Sequence, residues 1–170
     1  MVTINELYFS EVPQKLSCAR RFYEQCETDL LTLPGMRDKL QKLEVLSQAL
    51  QRQMASMSMF SLCKACAEKA GGGCCSAYMA NETDALLLLL NMLLGVEVIP
   101  QWDDSFECCF LGPRGCTLRV KPIFCLNYNC HHILTGNESA VLKNLEKAAS
   151  AVLLKQTAVE KILLEHILSR

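Results

Sequence analysis

Cysteine placement constrains this chain more than any other feature. The sequence contains eleven cysteines in 170 residues, and nine of them lie between Cys63 and Cys130. Residues 1–10 carry no positive charge and no long apolar run, so we expect no secretory signal and a cytoplasmic location. In a reducing compartment, clustered thiols favour metal binding over disulfide bonds. The middle of the chain is therefore predicted to bind metal.

Charge and hydrophobicity exclude two classes of partner. The formal net charge is −1, and no basic stripe is interleaved with aromatic residues, so nucleic acid and anionic membrane surfaces are not expected partners. The most apolar stretch, Ala85–Val96, is shorter than the roughly twenty residues that span a bilayer. It is predicted to be a buried helix.

The region before the cysteines, residues 1–59, predicts a helical hairpin. Ser10 is the expected cap of the first helix, and Leu33-Pro34-Gly35 should end it. The second helix should start near Met36 and carry an apolar stripe, which comprises Met36, Leu40, Leu43, Leu46, Leu50, Met54 and Met57.

The region after the cysteines, residues 135–170, predicts one long helix from Glu138 to Ser169 with Asn137 as its cap. Apolar residues recur at spacings of three and four, with the polar Gln156 on the same seam. This helix should pack on the second helix, and a dimerising coiled coil is the alternative. A homodimer or a protein partner could therefore use these amphipathic helices.

The middle region, residues 60–134, reads as rich in loops because it contains Gly71–Gly73, Pro100, Pro113 and Pro122. Within it we predict a helix over Glu82–Leu94, capped by Asn81 or Thr83, and a short strand over Thr117–Val120. The predicted fold is mainly α, a helical bundle with a cysteine-rich, loop-rich metal-binding middle region, and the three regions should form one compact domain.

The cysteines form two sequence clusters. The first is Cys63-x2-Cys66-x7-Cys74-Cys75, and the second is Cys108-Cys109-x6-Cys116-x8-Cys125-x4-Cys130. A C-x2-C pair lets two thiolates reach one metal from a tight turn. Nearby cations can offset thiolate charge, and these are Lys64, Lys69, Arg114, Arg119 and Lys121. Cys18 and Cys26 stand apart on an apolar helix face, where we expect plain packing.

These motifs resemble the zinc- or iron-chelating domain family with the CxxCxxCC motif, which includes YkgJ-like proteins and is related to flagellin lysine-N-methylases. The resemblance covers roughly residues 60–134, including Cys108-Cys109-Phe110-Leu111, Gly115-Cys116 and Lys121-Pro122-Ile123-Phe124-Cys125. The chain departs from the family in its longer spacing between Cys66 and Cys74, and in Lys121 and Leu126, which replace arginines. The resemblance implies eight metal ligands: Cys63, Cys66, Cys74, Cys75, Cys108, Cys116, Cys125 and Cys130. Cys109 is extra and could substitute for Cys108.

The cofactor stays open between two forms. Structural zinc usually uses two C-x2-C knuckles, and this chain has only one, which slightly favours a 4Fe-4S iron–sulfur cluster over Zn. His131 and His132 could be additional ligands or ordinary solvent-facing histidines. The acidic run Asp103, Asp104 and Glu107 could supply hard ligands for iron, but a solvated loop is the commoner reading.

Three functions fit these predictions. The first is a metal-binding protein without catalytic activity of its own, in which the metal has a structural or redox role. The second is an enzyme related to the flagellin lysine-N-methylases, although no cofactor-binding segment is evident. The third is a metal carrier, which would need exchangeable sites.

Overall fold

Two long helices follow a short π-type helical segment at Asn5–Phe9. The computed structural model describes residues 3–67, 73–102 and 107–169. Helix α1 spans Val12–Thr32 and α2 spans Met36–Ser56, so the break falls at Leu33–Gly35 as predicted. The predicted cap was wrong: Glu11 holds the N-cap position, and the Ser10 hydroxyl instead donates to the Asn5 carbonyl oxygen.

A buried helix, α5, spans Ala85–Leu93 and packs against α1 and the C-terminal helix. Every residue from Ala85 to Asn91 is buried, because neighbouring elements cover this helix on several sides. It begins three residues later than predicted. Neither Asn81 nor Thr83 caps it, since the Asp84 carboxylate accepts a hydrogen bond of 2.8 Å from the Leu87 amide.

The long C-terminal helix, α8, spans Ser139–Leu168 and lies along α2. Its buried positions recur at intervals of three and four, and they are Leu145, Ala149, Val152, Gln156, Val159, Leu163 and Ile167. Asn137 does not cap it as predicted. The Asn137 amide instead donates to the Ile133 carbonyl oxygen at the end of the preceding helix.

The middle region is more helical than predicted. It contains α3 at Met59–Ala67, α4 at Ala77–Ala80, α6 at Ile123–Asn127 and α7 at His131–Thr135. Strand β1 (Leu111–Gly112) pairs antiparallel with β2 (Gly115–Cys116). The described residues thus form eight α-helices and one small hairpin, which confirms the mainly helical class. The predicted strand at Thr117–Val120 is absent from this described segment.

One continuous apolar core joins the two ends of the chain to the middle region, because side chains from α1, α2, α5 and α8 all contribute to it. Among the described helices, none is long and apolar enough to cross a membrane.

Candidate metal centre

One cavity of about 570 Å³ lies between α2, α3, the hairpin and the short helices of the middle region. All eight cysteines that the resemblance implies as ligands line it, and both sequence clusters contribute four: Cys63, Cys66, Cys74 and Cys75 from the first, and Cys108, Cys116, Cys125 and Cys130 from the second. Cys74 and Cys125 are exposed, and the other six are partly buried. The cavity is therefore a concentration of accessible thiols.

Helix α3 positions the first pair of thiols. Cys63 and Cys66 are three residues apart on this helix, so they lie on the same face, one turn from each other. The expected tight turn is thus replaced by a helix. Gly73 packs directly on Cys66, where a Cβ atom would lie 2.7 Å from the Cys66 Sγ. Gly71, Gly72 and Lys69, also named from the sequence, lie outside the described residues.

Backbone pairing connects the two cysteine clusters. Ser76 and Glu107 form an isolated antiparallel bridge, and the Cys108 amide donates to the Cys75 carbonyl oxygen at 3.0 Å. These contacts hold Cys75 and Cys108 next to each other although they are far apart in sequence. The second cluster is thereby fixed against the first by main-chain hydrogen bonds.

The β1–β2 hairpin places Cys116 against α3. Gly115 adopts a φ of +92°, which only glycine adopts readily, and the Phe60 ring of α3 packs on it. A Cβ atom at Gly115 would lie 2.5 Å from the Phe60 Cδ1. This close approach needs a glycine, and it brings Cys116 next to the helix that carries Cys63.

Asn91 fixes the segment that follows Cys116. Its amide nitrogen donates to the carbonyl oxygens of Leu87 (2.9 Å) and Val120 (3.0 Å). Its amide oxygen accepts from the backbone N–H groups of Arg119 (2.7 Å) and Val120 (3.2 Å). One fully buried side chain therefore replaces the strand partner that this extended segment lacks. Sequence reasoning missed this role, because Asn91 there only interrupts an apolar run.

The last two thiols lie on short helices at the cavity wall. Cys125 belongs to α6, which follows Pro122, and Cys130 is the N-cap residue of α7. His131 and His132 open α7, line the same cavity and are exposed. Both histidines are thus close to the thiols, as a supporting role in metal binding would require.

Neighbouring thiols of the first cluster shift one another's pKa values. Hydrogen bonding to Cys63 and Cys74 raises the pKa of Cys75 strongly. The same hydrogen bonds lower the pKa of Cys63 and bring that of Cys74 to about 6. Cys75 therefore keeps its proton while Cys74 ionises near neutral pH, which gives the metal-free cavity at least one ready thiolate.

Loss of contact with water inside the cavity has the largest effect on the pKa values of Cys116 and Cys125. It raises the pKa of Cys116, and it raises that of Cys125 to about 12 although this residue remains accessible to solvent; the positive charge of Lys121 opposes both shifts. The hydrogen bond with Cys109 raises the pKa of Cys108. A bound metal would have to displace the protons of these thiols, so metal affinity should rise with pH.

The remaining cysteines lie outside this cavity. Cys109 is buried and faces a smaller neighbouring cavity of about 200 Å³, so Cys108 is the member of the pair that lines the main one. Cys18 and Cys26 are buried in the helical core, where burial raises the pKa of Cys18. All eleven cysteines lie within the described residues, and no disulfide bond joins any two of them.

Among the predicted cations, Lys121 lines the cavity and Arg119 does not. The Arg119 guanidinium instead bonds to Gln51 at 2.9 Å and lies 3.4 Å from the Glu44 carboxylate on α2. Asp103 and Asp104 lie outside the described residues.

The eight thiols are distributed around the wall of the cavity. Within the described residues, no three His, Cys, Asp or Glu side chains lie close enough together to hold a single metal ion. The donor set is nevertheless chemically suited to a thiolate-bound metal, since eight soft ligands and a buried cation share one cavity.

No protein-family model matches this chain, and comparisons with curated proteins and with solved structures found no match either.

Proposed function

We propose that this protein binds a thiolate-ligated metal centre in the cavity, as an iron–sulfur cluster in preference to zinc, with a structural or redox role. The observation that carries the proposal is that four cysteines from each of two separate sequence clusters line the same cavity. Thiols that served only as small apolar side chains would be buried in the core, as Cys18 and Cys26 are. The resemblance to the zinc- or iron-chelating family is a second support.

The presence of only one C-x2-C pair favours a cluster over structural zinc, and the cavity has room for a cluster. A zinc ion holds its four thiolates at about 2.3 Å, which draws the sulfur atoms close together. An iron–sulfur cluster instead places an inorganic core of several atoms between its cysteines. A cavity of about 570 Å³ lined by eight thiols has room for such a core. Two zinc ions, each held by four thiolates, are the alternative.

Anaerobic purification with analysis of iron, zinc and acid-labile sulfide tests this proposal. A brown protein containing equal amounts of iron and sulfide is expected. A colourless protein with stoichiometric zinc would favour the alternative, and a protein that contains neither and takes up neither would refute metal binding altogether.

Cysteine variants locate the site. Cys63→Ser and Cys116→Ser, one from each cluster, should each lower the bound metal by half or more, because each removes a thiolate from the cavity. Cys26→Ala is the matched control, since this cysteine is buried in the helical core and should leave the metal content unchanged. Equal metal content in all three variants would contradict the proposed site.

A metal carrier is the second candidate, because Cys74 and Cys125 are exposed and could pass a metal to a partner. A carrier should release its metal to a chelator from the folded protein within minutes. Metal that stays bound until the protein unfolds would argue against this role.

A further inference from the structure

Lys121 is a buried cation at the wall of the thiol cavity. Its side chain is 3% exposed, and its ammonium donates one hydrogen bond, 2.9 Å long, to the Leu118 carbonyl oxygen. An ammonium has three N–H donors, and the described residues offer this one acceptor. No carboxylate within the described ranges lies within ion-pair distance of it. A buried charge without a counter-charge is costly, so a partner of opposite sign is expected.

The groups of suitable sign nearby are the thiols. Lys121 lines the same cavity as Cys116 and Cys125, which flank it in the sequence. Cysteines bind a metal as thiolates, so a bound centre would place several negative charges in this cavity. The loaded state therefore offers Lys121 the counter-charge that the described carboxylates do not.

We infer that Lys121 is the counter-charge of the metal–thiolate centre, an inference that rests on the proposed function. The centre that Lys121 favours should then carry a net negative charge. Lys121 is thus a positioning residue that favours the loaded state and disfavours the empty one. Its two remaining N–H groups can donate to thiolate or inorganic sulfide atoms of the centre.

Lys15 provides a matched comparison elsewhere in the protein. It is 2% exposed, and its ammonium donates to the Asn81 carbonyl oxygen at 2.6 Å, in the same manner as Lys121 donates to Leu118. Its charged neighbours are the carboxylates of Asp84, Glu11 and Glu82, not thiols. Lys15 is therefore balanced whether or not metal is present.

Replacing each lysine by methionine distinguishes a lysine beside thiols, Lys121, from a lysine beside carboxylates, Lys15. Lys121→Met should weaken retention of the purified metal against a chelator by about tenfold or more, because one charge near the centre is lost. In the metal-free protein the same change should leave the urea midpoint unchanged or raise it, because an unbalanced buried charge is removed. Lys15→Met should lower the urea midpoint of the metal-free protein and leave metal retention unchanged.

Two further variants separate charge from hydrogen bonding. Lys121→Arg keeps the charge and should retain the metal within a few-fold of the wild type, whereas Lys121→Gln keeps a donor without charge and should behave like Lys121→Met. The inference is overturned if Lys121→Met retains metal like the wild type, or if its metal-free form loses stability as Lys15→Met does. A wild-type protein that takes up no metal would instead defeat the proposed function itself.

Discussion

Replacement of Asn91 by leucine tests how the fold holds the second cysteine cluster in place. Leucine has a similar size but cannot bond to the backbone, so the N–H groups of Arg119 and Val120 and the Val120 carbonyl would lose their partner. The Leu87 carbonyl keeps its hydrogen bond within the helix, so it is not among the groups left without a partner. An unsatisfied buried group costs about 1 to 3 kcal/mol, and three such groups therefore cost about 3 kcal/mol or more.

That loss is a large part of the roughly 5 to 15 kcal/mol by which a typical domain is stable. Urea unfolding should show it as a lower free energy of unfolding. Amide hydrogen exchange should show faster exchange at Arg119 and Val120 in particular, because these amides bond to Asn91. Leu88→Ala on the same buried helix is the control, with a comparable cost of about 2 to 5 kcal/mol, because a leucine side chain forms no hydrogen bond with this segment's amides.

At matched stability, Asn91→Leu should also lose more metal than Leu88→Ala, because the segment it releases lies between Cys116 and Cys125. Exchange at the two amides that stayed as slow as in the wild type would refute the idea that Asn91 holds this segment.

Two other substitutions test electrostatics and packing. Burial, followed by the charge of Asp84, raises the pKa of Glu160 from 4.5 to about 7, so the folded protein binds this proton more tightly than the unfolded chain and stability falls as pH rises from about 4.5 to about 7. Glu160→Gln should remove this slope and, relative to the wild type, gain about 2 to 3 kcal/mol between pH 5 and pH 8, which thermal unfolding at the two pH values measures; an unchanged slope would contradict the assignment. Gly115→Ala should lower the free energy of unfolding by about 1 to 3 kcal/mol, because alanine is strained at this positive φ and its Cβ would overlap Phe60. Gly95→Ala is the control, since its φ is also positive, at +75°, but no atom lies within 4 Å, so it should cost less. Equal losses would exclude the overlap with Phe60 as a cause.

The long helices could be predicted from the sequence because each buries only one face. In α2 and α8 the apolar residues recur at helical spacing, and each helix buries that stripe against its neighbours. The cap residues could not be predicted in the same way. Asp84, Asn81 and Thr83 are all suitable caps, and only the tertiary position of α5 decides that Asp84 is used.

The short helices of the middle region were missed for a related reason. Helices of four to nine residues, such as α4 and α3, contain too few turns to show a period, and packing around the cavity stabilises them more than propensity does. The segment Thr117–Val120 alternates like a strand, with Leu118 and Val120 buried. The backbone groups of Arg119 and Val120 nevertheless bond to Asn91, and no local sequence pattern identifies a partner that is nearly thirty residues away.

The candidate site was more predictable than its scaffold. The family resemblance implied which eight thiols could act together, and the structure places those eight around one cavity. Lys121 is buried, and Cys108 and Cys109 line different cavities. Both features depend on three-dimensional contacts that the sequence does not reveal.

The position of α8 has a consequence for how the protein matures. This helix of thirty residues follows the whole cysteine-rich region in the sequence, yet it covers part of the leucine-rich α5, and its Gln156 donates to the Lys121 carbonyl oxygen. Translation therefore delivers every thiol before α8, which packs on α2, α5 and α6, has been made. During that interval a nascent chain would expose reactive thiols and uncovered leucine side chains together, a combination that favours aggregation or oxidation. The proposed metal loading should accordingly follow synthesis of α8, and a shortened chain that ends before Ser139 should need chaperones and take up no metal.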